Sequence, residues 1–279
     1  MRLAVLGLGL IGGSVARATA AAGWSVRAWT PSGTGPRAAA ADGIAPAATL
    51  VDAVADAELI LLAAPPLDCL QLVDALSTIS PETLAPDAVI TDAASTKRVI
   101  VERAAAAGLR FVGGHPLAGR EQSGYAASHP DLFADRPWVI VPPEPPDPEA
   151  EGRVEALAIA CGARVLRLSA EAHDQAVAAI SHLPLLLSAA LVEAVTDAPD
   201  WPVARELAAG GWASMTRLAR GEPAMGAGIL ATNGERVADR IDAFRVVLES
   251  WARDLRDGTP EAMGQRLAAA RAALGEDGA

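Results

Sequence analysis

The chain has 279 residues, 51% of them hydrophobic, with a formal net charge of −11 and two cysteines. That length and apolar share suit one large domain or two ordinary ones, and the acidic balance leaves no basic stripe to neutralise nucleic-acid phosphates. Cys69 and Cys161 have no C-x-x-C spacing, so no metal site or disulfide is expected; the chain reads as cytoplasmic, with no signal peptide and no uninterrupted apolar stretch long enough for a bilayer.

The first element is the apolar run Leu3-Ala4-Val5-Leu6, which breaks into Gly7-Leu8-Gly9-Leu10-Ile11-Gly12 and then a helical stretch from Ser14. In that strand-turn-helix context the first glycine makes a tight turn and the second admits a pyrophosphate. The third lets the helix pack closely on the sheet. Gly7, Gly9, Leu10, Ile11 and Gly12 are therefore expected to hold a dinucleotide, with the helix N-terminus facing its phosphates. A glycine-rich turn in some other α/β protein is the competing explanation. A second strand runs from Ser25 to Trp29, and Thr30 follows where NAD-preferring folds usually place an acid on the ribose 2′-hydroxyl. Thr30, Ser32 and Arg37 could instead meet a 2′-phosphate, so the cofactor is NAD or NADP, leaning to NADP.

Runs from Glu58 to Ala64 and from Ala88 to Ala93, expected to be continuously buried, and further strands at Leu109 to Val112, Trp138 to Val141 and Arg164 to Leu168 alternate with helical segments. This order predicts a Rossmann-type, doubly wound parallel sheet over residues 1–169. Ligands bind beyond the carboxyl ends of such strands, which singles out Ala64 and Pro65, then Asp92 and Ser95, then His115 between Gly114 and Pro116. Ala64, Pro65 and Asp92 are expected at the cofactor. His115 is a candidate general base, the side chain whose unperturbed pKa lies nearest neutrality, with a solvated loop histidine as the alternative. From Ala170 onward strand signals vanish, and helical patterns cover Ala170–Asp197, Trp201–Arg220, Glu235–Asp257 and Pro260–Leu274. Residues 170–279 thus predict an all-helical second domain whose apolar faces bury against a second copy; a self-contained bundle competes with that homodimer.

Together, Gly7-Leu8-Gly9-Leu10-Ile11-Gly12, Thr91-Asp92-x-x-Ser95-x-Lys97, Gly114-His115-Pro116-x-Ala118-Gly119-x-Glu121, His173-Asp174, Ser181-His182-Leu183-Pro184 and Met215-Thr216-Arg217-Leu218-Ala219 occur in one order. That series resembles the prephenate and arogenate dehydrogenases of tyrosine biosynthesis. The resemblance implies hydride transfer from ring C4 to NAD(P), loss of CO2 and aromatisation, with no metal. It makes His115 the catalytic histidine, Ser95 a hydroxyl beside it and Arg217 the grip on a substrate carboxylate, with His182, Gly119 and Glu121 also at the substrate. The pattern departs at Leu185, where many prephenate-using members carry a histidine, and at Ala213 and Gly226. A β-hydroxyacid dehydrogenase or imine reductase is the rival enzyme, but residues 170–240 contain no lysine to act as the first one's acid or base. A nucleotide-binding sensor without turnover would have no use for His115, Ser95 and Arg217 together.

Overall fold

The computed structural model describes residues 1–119 and 123–275. Its strands are β1 (Arg2–Leu6), β2 (Ser25–Trp29), β3 (Ala45–Pro46), β4 (Leu59–Leu62), β5 (Val89–Asp92), β6 (Phe111–Pro116), β7 (Pro137–Val141) and β8 (Arg164–Arg167). They form one sheet in the order β3-β2-β1-β4-β5-β6-β7-β8. Side chains of successive residues leave the sheet on opposite faces, and both faces are dry. Leu3, Val5, Leu59 and Leu61 pack on one side with helices α1 (Leu10–Ala21) and α6 (Pro148–Ala160). Ala4, Leu6, Ile60 and Leu62 pack on the other with α4 (Pro66–Ser77) and α5 (Arg98–Ala106). Two short helices, α2 (Thr34–Ala39) and α3 (Leu50–Val54), complete this part.

The expected parallel sheet holds except at one junction. β6 runs parallel to β5 through Phe111 and Val112, then pairs antiparallel with β7 from Gly113 to Pro116. That handover carries His115 past the last residue paired to β5 and into the site. Order reversal in the sheet occurs between β1 and β4, where β1 ends at Leu6 and runs into Gly7.

The chain divides into two compact units, Met1–Gly234 and Glu235–Ala279. After β8 the first unit is helical: α7 (Ala170–Val177), a π-helical turn (Ala178–His182), α8 (Leu183–Thr196), α9 (Trp201–Glu206) and α10 (Gly210–Met215). The single helix expected from Ala170 to Asp197 is therefore interrupted. Pro184 has no N–H to bond back into the preceding turn, and a wide turn at a helix interior is a common functional feature. α11 (Pro223–Asp257) has one non-helical residue, Asn233, and α12 (Pro260–Ala273) lies in the second unit. Contrary to the expectation of no bilayer-length apolar stretch, the helical run Ala170–Thr196 is long and apolar enough to cross a membrane by length and composition. It is an interrupted run, because His173, Asp174 and His182 lie within it and are buried.

Candidate active site

Gly7 sits at φ +103°, and a side chain there would collide with the Ala63 carbonyl. Only glycine makes this turn out of β1. Gly9 is the N-cap of α1, and the space its missing Cβ would fill is open. Leu10 and Ile11 follow as the first residues of α1, and no side chain caps that helix N-terminus. An uncapped N-terminus behind an open glycine turn fits a dinucleotide pyrophosphate. Gly12 lies tight against Gly7, and Ala64 and Pro65 lead from β4 into α4. Beyond β2, the Thr30 hydroxyl accepts from Gly33 N–H at 3.1 Å, and the Arg37 guanidinium donates to the Ser32 carbonyl at 3.3 Å. Thr30, Ser32 and Arg37 are thus gathered in one turn.

Asp92, expected at the cofactor, is instead sealed under β6. It is fully buried, paired with buried Lys97, and accepts from Gly114 N–H at 3.0 Å and Ala94 N–H at 3.2 Å. Lys97 also donates to the Gly114 carbonyl at 2.6 Å. Burial pushes the Asp92 carboxyl up, against the pull of Lys97. The clamp needs Gly114, because a Cβ there would lie 2.5 Å from the Asp92 carbonyl oxygen. Lys97 and Asp92 therefore hold both backbone polar groups of the residue immediately before His115.

His115 Nδ1 lies 2.8 Å from His173 Nε2, with the rings edge to face. His173 Nδ1 lies 2.8 Å from Asp174 Oδ1. That carboxylate also caps α5 from a distance, accepting from Lys97 N–H at 2.8 Å and Arg98 N–H at 2.9 Å. Burial works against its charge, but the His173 and backbone hydrogen bonds win, so its pKa lies below the usual range. Burial drives the His115 pKa well below the ordinary value, assisted by His173, Lys97 and His182. His115 is therefore a neutral imidazole at physiological pH, the form able to accept a proton.

His182 ends the π-helical turn and is completely buried. Burial lowers its pKa to about 4, against an upward pull from Asp174. Asn233 Nδ2 donates to the Asp174 carbonyl at 2.9 Å and lies 3.1 Å from His182 Nδ1, while His182 Nε2 has no partner among the described residues. Ser95 Oγ is likewise buried without a partner. Thr96 and Thr232 share a buried hydrogen bond of 2.9 Å, fastening the Ser95 loop to α11. With Asn233 Oδ1, three buried polar atoms here lack a hydrogen-bond partner among the described residues, which is costly unless a ligand completes them.

Thus β5, β6, α7 and the π-helical turn bring together His115, His182 and the Ser95 loop. Arg217 is exposed instead, in the turn after α10 that Ala219 N–H fastens to Ser188 Oγ at 3.0 Å. Gly119 is exposed beyond β6, and Glu121 lies outside the described residues. Sequence reasoning left His173, Asp174, Lys97 and Asn233 without roles, although the first three stood in quoted motifs. Among the described residues no cluster of three or more His, Cys, Asp or Glu could hold a metal ion.

The model for the nucleotide-binding domain of prephenate dehydrogenase matches residues 16–167, and that for its dimerization domain matches residues 169–269. A prephenate dehydrogenase of Bacillus subtilis (strain 168) is 31% identical over 223 residues, covering 72% of this chain and 59% of that protein. The chain therefore spans under two thirds of that relative's length. A. aeolicus prephenate dehydrogenase in complex with hydroxyphenyl propionate and NAD+ superposes with a TM-score of 0.87 at 25% identity, covering 97% of this chain and 96% of that one. Synechocystis arogenate dehydrogenase gives 0.81 at 29% identity, over 97% of this chain and 98% of that one. With models of both component domains matched in succession along one polypeptide, the chain belongs to the prephenate dehydrogenase family.

Proposed function

We propose that the chain catalyses the NAD(P)-dependent oxidative decarboxylation of prephenate or arogenate to 4-hydroxyphenylpyruvate or tyrosine. The observation that carries this reading is the pair of neutral histidines, half-buried His115 and buried His182, set beside the partnerless Ser95 hydroxyl at the carboxyl edge of the sheet. The A. aeolicus relative carries a hydroxylated ring acid together with NAD+, the combination this site would take. The nicotinamide, when bound, supplies the acceptor for the hydride leaving ring C4. The Gly9 turn, Leu10 and Ile11 would hold the pyrophosphate, and Ala64 and Pro65 would border the cofactor.

His115 takes the proton of the C4 hydroxyl as the hydride departs. The C1 carboxylate then leaves as CO2, and its bonding pair completes the aromatic ring. His115 returns its proton to the phenolic oxygen, so the reaction releases no net proton. A positioned base of this kind contributes about 10²–10⁴-fold. Ser95 orients the same hydroxyl, and the Arg217 guanidinium takes a carboxylate in bidentate fashion. His182 serves as a hydrogen-bond donor to the substrate. Gly119 and Glu121 are also assigned to the substrate in this reading. The turn of Thr30, Ser32 and Arg37 favours acceptance of a 2′-phosphate, hence NADP as well as NAD.

Residues 170–279 form the substrate and dimerisation part in this reading. Ile180, Val203, Leu207 and Met215 are more than half exposed in the single chain, an apolar surface suited to a second copy of the same polypeptide. Reduced-nicotinamide formation with purified protein, crossing prephenate and arogenate against NAD and NADP, tests the proposal. Turnover in any combination supports it; silence in all four with cofactor binding intact rejects it.

A further inference from the structure

We infer that His173 and Asp174 are positioning residues that fix His115 in the one tautomer able to accept the substrate's proton. The inference rests on the base role proposed for His115 and adds the mechanism by which the chain secures it.

The argument is one of donors and acceptors. An ionised carboxylate only accepts hydrogen bonds, and Asp174 receives two backbone N–H groups as well as the imidazole. His173 Nδ1, 2.8 Å from Asp174 Oδ1, must therefore carry a proton. In a neutral His173 this leaves Nε2 as a lone pair, and that atom lies 2.8 Å from His115 Nδ1. His115 Nδ1 must then be the donor. The remaining nitrogen, His115 Nε2, is left as a lone pair, and among the described residues no hydrogen bond occupies it. The opposite tautomer would place two lone pairs face to face between the imidazoles.

The arrangement also answers where charge goes during the reaction. When His115 Nε2 takes the hydroxyl proton, the imidazolium donates more strongly through Nδ1 to His173 Nε2. Movement of that Nδ1 proton to His173 would leave His115 neutral and His173 a cation against the Asp174 carboxylate. The reverse movement returns the proton as the phenolic oxygen forms. No atom is gained or lost along the chain of three. Both partners are buried, His173 at 1% exposure and Asp174 at 0%, so water does not compete for these bonds. Asp174 is itself held by the start of α5, whose first residue follows directly on clamped Lys97. The relay and the Gly114 clamp thereby fix the ring and the backbone of the His115 neighbourhood from two directions.

The chain contains four histidines, which makes nitrogen-15 NMR of histidine-labelled, ligand-free protein a direct test. Single His→Gln variants assign the signals. Near neutral pH, His115 should show a protonated Nδ1 and an unprotonated Nε2, and His173 the same pattern. A protonated Nε2 on His115, or a doubly protonated His173, overturns the inference even if the protein turns out to use another substrate. With an active substrate in hand, His173→Leu should lower kcat by about 10²–10⁴-fold with little change in KM. His173→Gln supplies an acceptor oxygen and should recover part of that loss. Equal losses in the two folded variants, with His115 unchanged in tautomer, would make His173 merely structural.

Discussion

Asn233 Nδ2 sits between the Asp174 carbonyl at 2.9 Å and His182 Nδ1 at 3.1 Å. A carbonyl can only accept, so the amide nitrogen faces it, and its second hydrogen is left for His182 Nδ1. That assignment makes His182 Nε2 a buried N–H donor, with the Ser95 backbone close to the ring. Replacing Asn233 by Ala should cost about 1–3 kcal/mol of stability, the usual penalty for orphaning buried polar groups. It should also raise KM for the ring substrate more than it lowers kcat. Urea unfolding and steady-state kinetics on the one variant check both halves, and an unchanged KM would remove Asn233 from the substrate side.

His115→Asn should keep cofactor binding and lose about 10²–10⁴-fold in kcat. Fluorescence titration with reduced nicotinamide separates the two effects. Near-wild-type turnover in this variant would mean that another group takes the proton.

Folding stability should fall on mild acidification. His182 has its folded pKa lowered to about 4, below its unfolded value, so its contribution is present above the unfolded value and is lost as pH drops toward 4. Between those values the unfolded chain binds a proton that the folded one does not, so stability rises with pH. For His182 alone the loss from pH 7 to pH 5 is about 2 kcal/mol, and His115 adds in the same direction. Unfolding midpoints at both pH values measure it. A His182→Gln variant should show a shallower dependence; an equally steep one would place the titration elsewhere.

The buried Lys97–Asp92 pair should be intolerant of losing one member. Lys97→Met leaves the buried Asp92 carboxyl without its partner and pushes its pKa up further, at a cost of about 3–5 kcal/mol of stability. Removing both charges with Lys97→Met and Asp92→Leu should recover much of that stability, while loosening the clamp on Gly114 and lowering activity. Thermal denaturation of the single and double variants checks the sign. A double variant less stable than the single one would contradict the clamp account.

The strands were legible because β4 and β5 are continuous buried runs of a kind that parallel sheets need on both faces. Strand direction was not, since the β7 run Pro137–Val141 is equally buried whether it pairs parallel or antiparallel. β3 has two residues and no periodicity to read. The glycine turn and His115 were visible because Gly and Pro neighbours constrain the backbone locally. Lys97 and Asp174 were not readable as a clamp and a cap, because their partners lie far along the chain: Gly114 for one, the start of α5 for the other. The π-helical turn left one trace in the sequence, Pro184, which also fits an unbroken helix start.

The measurement that bears most directly on the account is the stoichiometry of turnover with substrate carrying a carbon label in the ring carboxylate. The account predicts one labelled CO2 for each reduced nicotinamide, with a phenolic product. Reduced nicotinamide formed without labelled CO2 would contradict it, because the chain would then be oxidising an alcohol and not aromatising a ring.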